Sequence, residues 1–133
     1  MILSGLVSLV CIGSLRATEG VDSTGTDPTE LATKAWVALK AGDHELVSKL
    51  TTQCFEEFGD DAVRQQKESG EEISKENASS FPELNSVGTC LFILAESLSQ
   101  QGNNEKSQAT LKKLITDFPE CHCANKQGYY WKP

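Results

Sequence analysis

Residues 91–119 read LFILAESLSQQGNNEKSQATLKKLITDFP and contain two apolar patterns of helical spacing on either side of a Gly-Asn turn. The first is apolar nearly all round between Cys90 and Ala95, which predicts a helix buried on more than one side. The second places Leu111, Leu114, Ile115 and Phe118 on one stripe. Pro119 then predicts the end of that helix.

A similar pattern occupies residues 31–58, LATKAWVALKAGDHELVSKLTTQCFEEF. Asp27 is a predicted N-cap, with Pro28 at the first helical position and Glu30 completing a capping box. Gly42 ends this helix, and a second helix is expected from Asp43. The apolar stripe of the first helix consists of Leu31, Ala35, Ala38 and Leu39, and that of the second of Leu46, Val47, Leu50, Cys54, Phe55 and Phe58.

The third helix is expected to start at "SFPE", with Ser80 as its cap and Glu83 three residues later. Residues 60–83 are interpreted as a charged insertion that contains one helix around residues 61–66 and a break near Gly70. No segment alternates with a period of two residues for long enough to form a strand. The sequence therefore predicts an all-α fold of antiparallel helical hairpins, and a generic four- or five-helix bundle is the alternative.

The two hairpin patterns align on their turns. Leu31 matches Leu91, Gly42-Asp43 matches Gly102-Asn103, and the segments end at Phe58 and Phe118. On these residues the chain resembles the tetratricopeptide repeat family, in its short exported type. The second unit is the better match. The first has Lys34 at a usually apolar position and Gly59 in place of proline, and the units are 60 residues apart rather than the roughly 34 of tandem copies.

The resemblance implies a binding protein, in which the first helix of each pair lines a groove for a peptide or a partner helix. The implied groove positions are Thr29, Ala32, Trp36, Leu39 and Lys40 on the first helix and Thr89, Phe92, Glu96, Ser99 and Gln100 on the third. Trp36 and Phe92 would supply aromatic anchors. Trp36 is also a candidate for the core, and for Phe92 the core is favoured.

The charge balance excludes one class of partner. The chain has 19 acidic and 12 basic residues, and removal of residues 1–17, which contain Arg16, leaves a net charge of −8. Binding to a phosphate backbone requires clustered Lys and Arg, so no nucleic-acid partner is expected. The expected partner is a protein or peptide.

The first 15 residues carry no charge and are mostly apolar or small, which is typical of a signal peptide with Ala17 before the cleavage site. No basic residue precedes the apolar run, and Leu15 is large for its position. The run is too short for a transmembrane helix. We therefore expect export to the periplasm or secretion, with no stable membrane span after cleavage. The alternatives are a retained anchor and a cytosolic protein. Residues 18–27 are expected to be a flexible linker.

Four cysteines remain after removal of Cys11: Cys54, Cys90, Cys121 and Cys123. An even number in an exported chain predicts two disulfides, with three possible connectivities. Cys54 lies 12 residues after Gly42, and Cys90 lies 12 residues before Gly102. Both are therefore expected near the same end of the two hairpins. A Cys121–Cys123 bond would close too small a ring for relaxed geometry. The tail cysteines are therefore expected to bond outward, one to Cys90 and one to Cys54.

The tail, CHCANKQGYYWKP at residues 121–133, allows three further interpretations. Cys121, His122 and Cys123 could join another cysteine at a metal ion, although Cys-x-Cys is an unusual zinc spacing. No Cys-x-x-Cys redox motif is present. Tyr129, Tyr130 and Trp131 could cover the open end of the last hairpin or bind a ligand. No metal or cofactor is predicted.

Catalysis has little support in the sequence, because no nucleophile elbow, phosphate-binding loop or His-Glu-x-x-His motif occurs. The predicted organisation is a signal peptide (1–17), a linker (18–27) and a helical domain (28–133). The domain divides into a first hairpin (28–59), an insertion (60–83), a second hairpin (84–119) and a capping tail (120–133). The predicted function is an exported protein-binding adaptor or scaffold without catalytic activity. The alternative is a small disulfide-stabilised helical binder of an apolar ligand or metal.

Overall fold

The computed structural model describes residues 27–70, 73–74, 76–124 and 130–132, and it confirms the all-α class. Four helices follow one another: α1 (Pro28–Lys40), α2 (His44–Ser69), α3 (Pro82–Gln100) and α4 (Asn104–Asp117). A short 3₁₀ turn, Ala78–Ser80, precedes α3. The predicted signal peptide, nearly all of the linker, and Tyr129 lie outside the described residues.

The two interhelix turns are built in the same way. Gly42 and Gly102 have φ angles of 75° and 81°, a region that glycine adopts without steric cost. Asp43 N–H donates to the Ala38 carbonyl, and Asn103 N–H donates to the Leu98 carbonyl, each at 2.9 Å. The two turns that align in the sequence therefore also have the same backbone hydrogen bond.

Side-chain caps begin three of the four helices. Asp27 accepts from Thr29 N–H at 2.8 Å, and Asp43 accepts from Leu46 N–H at 3.0 Å. Asn103 accepts from Lys106 N–H at 3.5 Å. The Asp27 and Asp43 starts agree with the sequence prediction. Glu30 does not complete a capping box but forms an exposed ion pair with Lys34.

The predicted cap of α3 is wrong. Ser80 belongs to the 3₁₀ turn, and Phe81 stands at the cap without a side-chain hydrogen bond. Gln65 of α2 supplies the missing acceptor instead, because Leu84 N–H donates to its Oε1 at 2.9 Å. Its amide also donates to Glu83 Oε1. A side chain from another helix therefore satisfies the start of α3.

Helix α2 is longer than the sequence division suggested. It continues without interruption from His44 to Ser69 and ends at Gly70, so the boundary predicted at residue 59 lies inside a helix. The charged residues around 61–66 are its last turns rather than a separate helix. The break expected near Gly70 coincides with the observed end of α2.

Helix α3 is the centre of the molecule and packs against α1, α2 and α4. Every residue from 84 to 91 is buried, which confirms the expectation of burial on more than one side. The larger core joins α3 to α2, α4 and the tail through Cys54, Leu84, Val87, Leu114 and Phe118, among others. The smaller core joins α1, α2 and α3 through Ala35, Ala38, Leu39, Val47 and Ile93.

The tail returns to α3 and forms a pair of two-residue strands, β1 (Cys123–Ala124) and β2 (Tyr130–Trp131). They are antiparallel, with Cys123 opposite Trp131 and Ala124 opposite Tyr130. Strands of two residues are too short to produce an alternating sequence pattern, so they could not be predicted from the sequence. Within the part of the chain that the structure describes, no helix combines the length and apolarity needed to cross a bilayer.

Candidate functional site

The predicted groove residues lie on α1 and α3, which pack directly against each other. The Trp36 and Phe92 rings are 6.1 Å apart between centroids and tilted by 52°. This geometry is typical of an attractive aromatic pair. Both side chains are half-buried, so their surfaces are shared between the core and solvent. We define the aromatic face as Trp36 and Phe92 together with Lys40, Glu96 and Gln100. Lys40 follows Trp36 by four residues on α1, and the other two follow Phe92 by four and eight residues on α3.

The other predicted groove positions divide between surface and core. Lys40 and Gln100 are exposed and Glu96 is half-buried, so these three side chains are accessible. Leu39 is buried in the smaller core with Val47 and Ile93, and it is not a surface residue. Two further positions, Ala32 and Thr89, are buried as well, whereas Thr29 and Ser99 are exposed.

Trp36 had both a core and a groove interpretation, and it has features of each. It packs on the edge of the smaller core while remaining half-exposed. Phe92 packs in the same manner against the larger core. Each of these two side chains therefore has one face on the core and the other toward solvent.

An apolar groove runs between α1 and α2 on another side of the hairpin. It encloses about 340 Å³ and is lined by Thr33, Lys34, Val37, Ala38, Ala41, Asp43, Leu46 and Leu50. Val37 is 65% exposed and Leu46 is 40% exposed. The sequence predicts Leu46 on a core stripe and contains no prediction for Val37. The signal for this groove was the pair of large apolar residues at the edges of the two stripes.

The four cysteines meet in the larger core, where all are buried. Cys54 comes from α2, Cys90 from α3, and Cys121 and Cys123 from the tail. We call these four buried residues between α2, α3 and the tail the cysteine cluster.

The environment of the cluster favours neutral thiols. The hydrogen bond with Cys54, together with burial, raises the pKa of Cys90 well above its ordinary value. The hydrogen bond with Cys121 and burial raise the pKa of Cys123 in the same direction, while Thr89 acts against this shift. Both groups are therefore poor nucleophiles while the tail is docked, because the thiolate is the reactive form.

The sequence predicted that the tail cysteines lie beside Cys54 and Cys90, and the structure brings all four together. All four are free thiols in the structure, which therefore shows no disulfide-linked tail. The disulfide pairing stays a prediction.

Two residues of α3 fix the position of the tail. Asn85 accepts from His122 N–H at 2.9 Å and donates to the Ala78 carbonyl, so one buried side chain holds both the tail and the 3₁₀ turn. At Gly88, an added Cβ would lie only 2.5 Å from the Cys121 sulfur. The tail therefore needs glycine at this position to approach the helix.

Glu120 adds a polar anchor at the base of the tail. Its Oε1 accepts from Ile73 N–H and from the Lys132 ammonium, each at 3.0 Å, and its own N–H donates to Gln66 Oε1 at 3.0 Å. Burial opposes ionisation of Glu120, but the hydrogen bonds from Lys132 and Ile73 hold its pKa below the ordinary value. The side chains of the three tail aromatics lie outside what the structure describes, so the predicted cover over the last hairpin stays a prediction.

The two histidines have different surroundings. His122 is 5% exposed, and its Nδ1 has no hydrogen-bond partner. His44 Nδ1 lies 2.7 Å from Ser97 Oγ, a pair 53 residues apart that no local sequence pattern indicates. Ser97 is fully buried, so this pair does not present a nucleophile to a substrate. Among the described residues, no three His, Cys, Asp or Glu side chains are arranged to hold a metal ion.

Comparison of the chain with known proteins found no matching family model, no matching curated protein and no matching solved structure.

Proposed function

We propose that the chain is an exported, non-catalytic adaptor with tetratricopeptide-like hairpins, and that it binds a protein or peptide through the aromatic face. The observation that carries this proposal is the tilted contact between Trp36 and Phe92, half-exposed on two adjacent helices. Aromatic residues that rest on a rigid core lose little conformational freedom on binding, and they often dominate the free energy of an interface.

The surroundings of the pair indicate what the partner presents. Lys40 and Glu96 carry opposite charges, and Gln100 offers both a donor and an acceptor. The proposed occupant is therefore a peptide or helix with an apolar side chain between polar or charged residues. The polar residues orient the ligand, while contact with the aromatic pair supplies most of the affinity.

The repeated turns support the tetratricopeptide-like part of the proposal. The same glycine conformation, the same cap position and the same hydrogen bond recur after α1 and after α3. Helix α3 also contacts both helices of the first hairpin, as expected for stacked hairpins. The long α2 is an addition to this plan.

Export and a disulfide-linked tail belong to the same proposal. Four buried cysteines in one cluster are well placed for oxidation in an oxidising compartment. N-terminal sequencing of the protein from its native source tests export. The expected result is a chain that begins near Thr18, recovered outside the cytoplasm, whereas an intact Met1 on a cytosolic protein contradicts it.

Trp36→Ala tests the binding surface. The immobilised variant chain, residues 18–133, should capture less partner from an extracellular or envelope fraction than the parent chain, because it loses the aromatic anchor. Val37→Ala is the matched control, since Val37 is the next residue of α1 and lies in the apolar groove instead. Circular dichroism and unfolding measurements accompany both variants. Equal capture by both variants contradicts the proposal, and a loss of ~3–5 kcal/mol in unfolding free energy would assign Trp36 to the core alone.

The apolar groove supports a second candidate function, the binding of a small apolar ligand. Five of its eight lining residues are apolar, and two of these, Val37 and Leu46, are large and exposed. Titration with an apolar fluorescent probe tests this function. Val37→Ser should weaken probe binding while Trp36→Ala leaves it unchanged, and the reverse pattern assigns the probe to the aromatic face.

A further inference from the structure

A surface turn between α2 and α3 carries a sequence motif that the proposed binding function does not use. Residues 77–79 read Asn-Ala-Ser, and Asn77 stands at the cap position of the 3₁₀ turn. The pattern Asn-x-Ser, with x other than proline, is the acceptor sequence for N-linked glycosylation of exported proteins. It occurs once in the chain, because no other asparagine has Ser or Thr two residues later.

The burial of this turn leaves both recognition residues at the surface. Asn77 and Ser79 are exposed, whereas Ala78 between them is fully buried. The Ala78 carbonyl accepts a hydrogen bond from the buried amide of Asn85. The middle residue therefore fixes the turn on the body of the protein, and its two neighbours remain accessible to an enzyme.

The backbone of Asn77 holds the turn, and its side chain does not cap it. Its N–H donates to the Ser74 carbonyl at 3.1 Å, and its carbonyl accepts from Ser80 N–H at 3.0 Å. The side chain makes no capping hydrogen bond. Asn85 differs in this respect, since it is 4% exposed and its amide group is used in two hydrogen bonds. A bulky group on the Asn77 amide thus removes no capping hydrogen bond from the turn.

We propose that Asn77 carries an N-linked glycan, attached by an oligosaccharyltransferase of the export pathway. This inference rests on the proposed export, because the transferase and its sugar donor act outside the cytoplasm. It does not depend on what the aromatic face binds.

The reaction transfers an oligosaccharide from a lipid diphosphate carrier to the side chain. Asn77 Nδ2 forms a bond to the anomeric carbon of the first sugar and loses one proton. The bond from that carbon to the diphosphate oxygen breaks, and the lipid diphosphate leaves with the electron pair. The Ser79 hydroxyl, which can both donate and accept a hydrogen bond, is the group that the transferase recognises.

The glycan lies away from the aromatic face along α3. The contact of Ala78 with Asn85 places the turn beside the first turn of that helix. Phe92 is 10 residues after Pro82, the first residue of α3, which is about 15 Å at the usual helical rise. The proposed glycan therefore leaves the aromatic face open to a partner.

Protein recovered outside the cytoplasm of its native source tests the inference directly. Peptide mass spectrometry should find a sugar mass on the peptide that contains Asn77, and a peptide N-glycosidase should remove it and leave aspartate at position 77. An exported protein with unmodified Asn77 overturns the glycan and leaves the proposed export and binding intact. A cytosolic protein with Met1 intact overturns export and the glycan together.

Variants of the full chain, secreted from a eukaryotic cell line, test the assignment to this turn. Asn77→Gln and Ser79→Ala should each lose the mass shift that the glycosidase removes, whereas Ser79→Thr should keep it. Ser80→Ala is the matched control, because it removes the next exposed hydroxyl of the same turn and should keep the glycan. A glycan that persists in Asn77→Gln, equal loss in the two alanine variants, or a parent chain secreted without a glycan overturns the inference.

Discussion

Single side chains that reach between elements hold this small domain together. Gln65 and Gln66 are adjacent on α2, and each satisfies a backbone N–H of another segment, at Leu84 and at Glu120. A helix start leaves several N–H groups without an intrahelical partner, so such contacts stabilise the neighbouring element directly. Asn85 likewise accepts from His122 N–H of the tail, and it donates to the Ala78 carbonyl of the 3₁₀ turn.

Replacing Gln65 by alanine tests the remote cap of α3. The variant leaves Leu84 N–H without its acceptor, and the free energy of unfolding should fall by ~1–2 kcal/mol, the range for loss of a cap. Urea unfolding measures the change. Gln53→Ala is the control on the same helix, because Gln53 forms only an exposed contact with Glu57 and should cost ~0.5 kcal/mol or less. Equal effects of the two variants would show that Gln65 does not act as a cap.

Asn85 allows a finer test, because its amide makes two separable hydrogen bonds. Asn85→Asp keeps an acceptor for His122 N–H but loses the donor to the Ala78 carbonyl, whereas Asn85→Ala loses both. The alanine variant should lose ~1–3 kcal/mol of unfolding free energy for each buried group left unpaired. It should also show faster labelling of Cys121 and Cys123 by a thiol reagent. Labelling at the parent rate in Asn85→Ala would mean that Asn85 does not hold the tail.

At the scale of the elements, caps and turns that depend on neighbouring residues can be predicted from the sequence. Features that depend on residues distant in the chain cannot. The caps at Asp27 and Asp43 and the turns at Gly42 and Gly102 depend on a few neighbouring residues, so the sequence identifies them. The start of α3 depends on Gln65, 19 residues before Leu84, and no local pattern contains that contact.

The surface shows the same limit. The apolar stripe of α2 correctly includes Val47 and Cys54, but Leu46 and Phe55 at its edges are exposed, and Phe55 contacts the Lys113 ammonium of α4 rather than the core. Ile115 of α4 is likewise 57% exposed although it continues the stripe of Leu114 and Phe118. The periodicity of apolar residues shows which side of a helix faces the core. It does not show how much of that side the neighbouring elements cover. For this reason the sequence alone does not decide whether Trp36 lies in the core or in the groove.

The buried thiol of Cys90 in the cysteine cluster makes the free energy of unfolding depend on pH. In the reduced protein the pKa of Cys90 is raised above its unfolded value, so the folded state keeps a proton that the unfolded state loses. The resulting stability is complete below the ordinary thiol pKa, near 9, and is lost as the pH rises from there through the folded pKa. Such a thiol lowers the unfolding free energy by about 1.4 kcal/mol per pH unit above that point.

Urea unfolding at pH 8 and pH 10 in the presence of reductant measures this dependence. Cys90→Ala should show a smaller loss of stability between the two pH values than the parent chain. Other groups that titrate in this range are common to both proteins and cancel in the comparison. An identical loss in both proteins would mean that Cys90 ionises equally in the folded and unfolded states.

At the scale of the whole molecule, the long helix α2 packs against the central helix α3 and joins the first pair of helices to the second. Helix α3 contributes to both cores, and the tail completes the larger one through Cys121 and Cys123. Helices α3 and α4 therefore do not complete this core without the tail. Attachment of the tail should influence the stability of the entire domain.

The effect of reduction on thermal unfolding is the whole-molecule prediction. Each proposed bridge would close a loop of about 30 to 70 residues, a size that typically contributes ~2–4 kcal/mol. Against a total of ~5–15 kcal/mol for a domain, loss of one bridge removes a large share. For a domain of about 100 residues, such a loss lowers the midpoint of unfolding by roughly 10–25 °C. Calorimetry of the oxidised chain with and without reductant measures the shift.

The Cys54→Ala/Cys90→Ala double variant should respond far less, because no bridge from the tail to the helices can form in it. An oxidised parent chain whose midpoint does not change on reduction would show that the tail is held by the hydrogen bonds and packing of Asn85, Gly88 and Glu120 alone.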